Sequence, residues 1–176
     1  MADSQFSIRR LNATELSVVR ELAQHTWPIS YRNIISTEQI AYMLDWMYSD
    51  TALLHQLNVE KAHFYLISRN NQPIGFASIG PESTSTHENV KLHKLYVLPN
   101  FQASGAGSAL IQHCIKKFTE MGACKISLQV NRQNSAVTFY NKHGFIIHSE
   151  IKVDIGNGYF MDDFIMTRQL KPIVST

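Results

Sequence analysis

The stretch that most constrains this chain is Gln102-Ala103-Ser104-Gly105-Ala106-Gly107, taken with its flanks. An apolar segment with strand character, Leu95-Tyr96-Val97-Leu98, runs into it and closes on Pro99-Asn100. A helical pattern from Ser108 to Phe118 runs out of it. Strand, small-residue loop, helix has a direct physical consequence. The first N–H groups of a helix lack internal partners and carry the positive end of its dipole. Small residues leave those groups uncovered, so the loop reads as a cradle for a phosphate or pyrophosphate.

The two common nucleotide readings fail at named positions. A P-loop requires Gly-Lys-Ser/Thr, whereas Gly107 is followed by Ser108-Ala109. A dinucleotide fingerprint requires a third small residue where Leu110 stands. It also requires an acidic residue about 20 positions on, and Gly122 to Gln129 contains none.

Length and composition bound the rest. A chain of 176 residues fits one domain, residues 1–176, with enough material for a real core. A net charge of +2 and the absence of a dense Lys/Arg face argue against nucleic acid as a partner. No apolar run reaches membrane-spanning length, and Met1-Ala2-Asp3-Ser4 lacks a signal-peptide layout. The expected location is cytoplasmic, without a membrane partner. Cys114 and Cys124 have no CxxC partners and read as buried thiols in a reducing compartment. The eight histidines show neither HExxH nor a close pair joined to cysteine, which argues against zinc.

Read in order, Phe6 to Arg9 alternates as a short strand, and Asn12 caps a helix running to about Gln24. Pro28 marks the stretch His25 to Tyr31 as irregular. Thr37 opens a second helix, and Thr51 to Leu57 reads as a short third. The cluster Trp27, Tyr31, Tyr42, Met43, Trp46, Met47 and Tyr48 reads first as core and second as a pocket wall. Phe64 to Ser68 and Pro73 to Ile79 form a hairpin about a polar turn, and Pro81 to Asn89 is a polar loop.

In the strand from Val90 to Leu98, Val90 and Leu92 share one parity while Leu95 and Val97 share the other. One extra residue near His93-Lys94, a β-bulge, would keep both pairs facing the same core. Gly122 sits where the following helix should end. Lys125 to Val130 is then a strand parallel to the one before the helix. Asn134 or Ser135 caps a short helix ended by Gly144, and two closing strands follow around Asp154 to Gly158. Asp162 and Asp163 read chiefly as punctuation at a strand start, with attraction of a cationic amine as the other option.

Three segments in order carry a family resemblance. They are Leu95-Tyr96-Val97-x-Pro99, Gln102-x-x-Gly105-x-Gly107, and Asn134-x-Ala136-x-x-Phe139-Tyr140-x-Lys142-x-Gly144-Phe145. Together they resemble the GNAT superfamily of acetyl-CoA-dependent N-acetyltransferases. The region from Trp27 to Tyr48 and the closing Asp162 to Met166 look most like its PaiA-type polyamine branch. The resemblance implies an α/β (α+β) fold. Its sheet is mixed, mostly antiparallel, of six or seven strands, splayed in the middle and flanked by about four helices.

The resemblance further implies that acetyl-CoA is co-substrate, with a small-molecule or peptide amine as acceptor, and family habit adds a homodimer. In that reading Gln102, Ala103, Ser104, Gly105, Ala106, Gly107 and Ser108 hold the pyrophosphate. The backbone of Leu95, Tyr96 and Val97 pairs with pantetheine, aided by Asn134, and Lys142 reaches the nucleotide phosphates. Tyr140 matches the family's proton donor to the leaving thiolate, a task suited to a phenol with a pKa of about 10. Where polyamine-acetylating relatives place a glutamate base, this chain has Lys91, His93 and Lys94. His93, with an ordinary pKa of about 6.5, is then the candidate base. Ala103 departs from the glycine common in relatives. The alternative from another class is a non-catalytic acyl-CoA sensor of the same fold.

Overall fold

The computed structural model describes residues 6–82 and 88–170. The first residues and most of the polar loop after Pro81 lie outside this range. One seven-stranded sheet runs through the described residues, in the order β1-β2-β3-β4-β5-β7-β6. Its strands are β1 (Ser7–Arg10), β2 (His63–Arg69), β3 (Gln72–Pro81), β4 (Asn89–Val97), β5 (Lys125–Asn131), β6 (Ile146–Gly156) and β7 (Tyr159–Gln169). Five α-helices cover it, one more than the family resemblance implies: α1 (Ser17–Ser30), α2 (Thr37–Tyr48), α3 (Asp50–Asn58), α4 (Ala106–Glu120) and α5 (Ala136–Lys142). Only β4 and β5 run parallel, joined by the crossover through α4.

The first helix departs from the sequence expectation. Asn12 caps a 3₁₀ turn, Ala13–Glu15, in a reciprocal capping box with Glu15. The α-helix then runs through Pro28 to Ser30. Proline costs most in a helix interior. Here it falls in the last turn, where Trp27, 2% exposed, stacks on Tyr31 with ring centroids 4.6 Å apart. That packing carries the chain past the proline and delivers Tyr31 to the sheet.

The sheet separates two apolar layers. On one face α4 and α5 bury Leu110, Ile111, Cys114 and Tyr140 against Ile79, Leu92 and Ile126. On the other, α1 to α3 bury Trp27, Met43, Tyr48 and Leu53 against Phe64 and Phe76. β4 serves both layers through the expected bulge. Ser78 pairs with Lys94 and Ile79 with Leu92, so His93 is the extra residue. Val90 and Leu92 before the bulge, and Leu95 and Val97 after it, therefore all pack toward α4. Lys94 and Tyr96 turn toward the α1–α3 side, where Tyr96 meets Tyr31 and Lys94 meets Tyr48.

The bulge coincides with the parting of the sheet. β4 and β5 pair only from Asn89–Leu92 against Lys125–Leu128. Beyond that point β5 pairs with β7 and β4 with β3, leaving a wedge between the two parallel strands.

Candidate active site

The loop at the mouth of the wedge forms an array of free amides. Gly105 caps α4 at φ 89°, and Ala103 also lies in the left-handed region at φ 60°. These turns point successive N–H groups outward, the geometry of an anion nest. Among the described residues the amides of Ala103, Gly105, Gly107 and Ser108 have no partner, whereas that of Ala106 leans on Ser104 Oγ at 3.4 Å. A side chain at Gly105 would meet nothing within 4 Å, so the space above it is open. Gln102 Nε2 donates to Val97 O at 3.4 Å, tying the loop to the end of β4. The Ser108 hydroxyl bonds His143 Nε2 at 3.1 Å, while His143 Nδ1 donates to Phe139 O at 2.8 Å. Ser108 thus contributes its amide to the cradle, and its hydroxyl clamps α4 to α5.

Behind the cradle, the wedge narrows to a slot of about 50 Å³ between β4 and β5. Leu95 and Tyr96 line one wall, Val130 and Asn134 the other, with Tyr140 at the side. Past Leu92 the edge of β4 that faces β5 has no strand beside it. It offers amides and carbonyls to an extended ligand as a further strand would. Asn134 Oδ1 accepts from Ala136 N at 2.9 Å and opens α5, so Asn134 rather than Ser135 does the capping. Tyr140, 8% exposed, is wedged between Phe139 and Phe145. Its hydroxyl has no hydrogen-bond partner among the described residues, and it faces the slot. Burial pushes its pKa well above the ordinary phenol value, with Tyr31 adding to the rise. The phenol is therefore protonated at neutral pH. Lys142 lies on the exposed last turn of α5, apart from the slot lining.

The slot opens on the α1–α2 side into a cavity of about 170 Å³. Tyr31, Met43 and Met47 wall it, so the N-terminal aromatic and methionine cluster divides between core and pocket. Gln39 Nε2 donates to Phe160 O at 2.8 Å and closes one end. Lys91, His93, Lys94 and Asp163 are among its titratable lining residues. His93 sits at the bulge and touches both slot and cavity. Its Nε2 is buried without a partner. Burial, with Lys94 and Lys91 close by, lowers its pKa to about 3. The position matches the sequence reading; the basicity on which that reading relied is gone.

Residues 32–159 match the Acetyltransferase (GNAT) domain. This chain belongs to the GNAT acetyltransferase family. It is 28% identical over 160 residues to an uncharacterised N-acetyltransferase of Mycobacterium bovis, covering 90% of this chain and 98% of the relative. It is likewise 28% identical over 171 residues to the spermidine N(1)-acetyltransferase of Thermoplasma acidophilum, covering 92% and 96%. The PaiA N-acetyltransferase of T. acidophilum, solved with coenzyme A, superposes with a TM-score of 0.76 at 27% identity over 93% of this chain and 98% of that one. The chain is accordingly an N-acetyltransferase with acetyl-CoA as co-substrate.

Within this GNAT fold, Asp163 is the site residue that sequence reasoning undervalued. It lies inside β7, not at a strand start, and is 7% exposed on the cavity wall. Neighbouring strand residues point to opposite faces. Asp162 turns outward to Arg132 at 3.6 Å, and Asp163 must turn inward. An Asp-Asp pair within an alternating strand was the available signal. Among the described residues no group of three or more His, Cys, Asp or Glu is placed to hold a metal ion, and no helix is long and apolar enough to cross a membrane.

Proposed function

We propose that this acetyltransferase works by direct transfer in a ternary complex, with Tyr140 protonating the departing thiolate of coenzyme A. The diphosphate rests on the free amides of the Ala103–Ser108 loop, those of Ala103, Gly105, Gly107 and Ser108, and the pantetheine arm lies along Leu95 to Val97. The thioester then reaches the slot that Tyr140 lines. The acceptor amine enters from the opposite side, through the cavity beneath α1 and α2. The carrying observation is the unpartnered Tyr140 hydroxyl facing a slot that has free amides at one end and a cavity at the other. Neither cysteine supports a covalent acyl-enzyme. Cys114 is buried in α4 with its pKa pushed up to about 12, and Cys124 lines neither space.

The acceptor is a primary amine, with small molecules and peptide N-termini both admissible by size. The Thermoplasma relative acts on spermidine by name. His93 serves as an uncharged hydrogen-bond acceptor in this site. A group titrating at about 3 is a poor match for removing a proton from an ammonium of pKa about 10.4. Tyr140→Phe should lower kcat by about 100-fold or more while leaving the Kd for acetyl-CoA, read by calorimetry, nearly unchanged. Full turnover in that variant would refute the donor role. A sensor without catalysis would bind acetyl-CoA and release no thiol with any amine.

A further inference from the structure

The cavity contains a carboxylate that the transfer chemistry above does not use. Asp163 lies nine-tenths buried on its wall, yet no hydrogen bond or ion pair within 4 Å reaches it from the described residues. An anion sunk into a cavity wall without a protein partner is costly unless solvent or a ligand in the cavity completes it. Arg132, just past the end of β5, is bound to Glu150 and Asp162 on the outer face. The two lysine ammoniums in the cavity hydrogen-bond to side-chain amides rather than to Asp163. Lys91 Nζ donates to Gln129 Oε1, and Lys94 Nζ donates to Gln56 Oε1 at 2.7 Å over the Tyr48 ring. The cavity that Asp163 lines is also lined by Tyr31 at the C-terminal cap of α1, Lys91 and His93 from β4, and Asn131 from β5.

We infer that Asp163 docks the ammonium group of the acceptor and takes its first proton, and that the pocket accepts one cationic centre at the reacting end rather than a polycation. The inference rests on the transferase reading. The ammonium R–NH₃⁺ gives a proton to the Asp163 carboxylate and becomes R–NH₂. That nitrogen attacks the thioester carbonyl, the C–N bond forms and the C–S bond breaks. The Tyr140 phenol gives its proton to the leaving sulfur, and the nitrogen's remaining surplus proton restores the phenol. Asp163 returns its proton to solvent, so the net release is one proton per acetyl group moved.

Two further observations agree. Burial and the neighbouring Asp162 raise the Asp163 pKa to about 6, against the opposing pull of Lys91, which makes it a stronger base than an exposed aspartate. Lys91 and Lys94 place two positive charges on the same wall. Each additional charge of a polyamine therefore meets repulsion in a low-dielectric space.

The other groups facing Asp163 leave its titration distinct. His93 titrates near 3 and Lys94 near 8, the Tyr31 and Tyr96 phenols are raised by burial, and Lys91 is lowered by burial. The cavity-lining residues of α2 and β5 are not titratable. The rate should consequently rise with pH through about 6.

The test compares wild type with Asp163→Asn and Asp163→Glu, using acetyl-CoA with butylamine, a dipeptide amide and spermidine. Asp163→Asn should lose about 100-fold or more in kcat/KM for the amine and lose the rise near pH 6, with the Kd for acetyl-CoA unchanged. Asp163→Glu should recover part of the rate. A raised carboxyl pKa means that the folded state favours the protonated form, a contribution lost as pH rises through about 6. Asn removes that penalty, so its thermal midpoint at pH 7 should equal or exceed wild type, whereas a purely structural aspartate would lower it. Wild-type rate and pH profile in Asp163→Asn would overturn the inference alone, as would a clear preference for spermidine over butylamine. A wild-type enzyme that acetylates none of the three would overturn the transferase reading and this inference with it.

Discussion

Single residues set the chemistry of this site through backbone shape as much as through side chains. Ala103 holds φ 60° where glycine has no steric penalty, and the left-handed region costs an alanine roughly 1 kcal/mol or more. Ala103→Gly should therefore raise stability by up to about 1 kcal/mol in urea melts, less what glycine adds to the unfolded chain's entropy. Gly105 shows the converse. Its φ of 89° disfavours any side chain, although a methyl there would touch nothing. Gly105→Ala should strain or reshape the amide array by roughly 1–2 kcal/mol, and calorimetry should show weaker coenzyme A binding. An unchanged Kd would mean that the diphosphate does not use this turn.

At the scale of elements, β4 is the part on which the rest depends, and much of it was legible beforehand. The parity switch between Leu92 and Leu95 predicted the bulge, and His93 is the inserted residue. The loop after it, the parallel partner β5 and the short helix bearing Tyr140 also follow from local pattern, because turn chemistry and periodicity act over short distances. The failures are non-local. Pro28 reads as a breaker, but the stacking of Trp27 on Tyr31 and the burial of that layer sustain the helix to Ser30. His93 looks like an ordinary histidine until the fold half-buries it beside two lysines. Asp163 looks like strand punctuation until β7 is placed between β5 and β6. Gly75 tests the register of this element. A Cβ there would stand 2.6 Å from Tyr96 O and 3.2 Å from the Val97 Cα, both backbone atoms. Gly75→Ala should cost about 1–3 kcal/mol in chemical denaturation and weaken coenzyme A binding by displacing the exposed edge of β4.

For the whole molecule, the sheet order explains why one site can serve two substrates. Parting β4 from β5 opens a wedge in the sheet, with α4 and α5 packed on one face and α1 to α3 on the other. Tyr140 belongs to the first layer and Tyr31 to the second, and both line the slot between them. In the proposed mechanism coenzyme A and the acceptor enter from these two faces and the reacting atoms meet in the sheet, which is what direct transfer requires. The most direct measurement is a crystal structure of this protein with coenzyme A. The diphosphate oxygens should lie about 2.7–3.2 Å from the amides of the Ala103–Ser108 loop, with pantetheine beside Leu95 to Val97 and its sulfur within reach of the Tyr140 hydroxyl. A diphosphate held anywhere else, or a sulfur pointing away from Tyr140, would contradict the account.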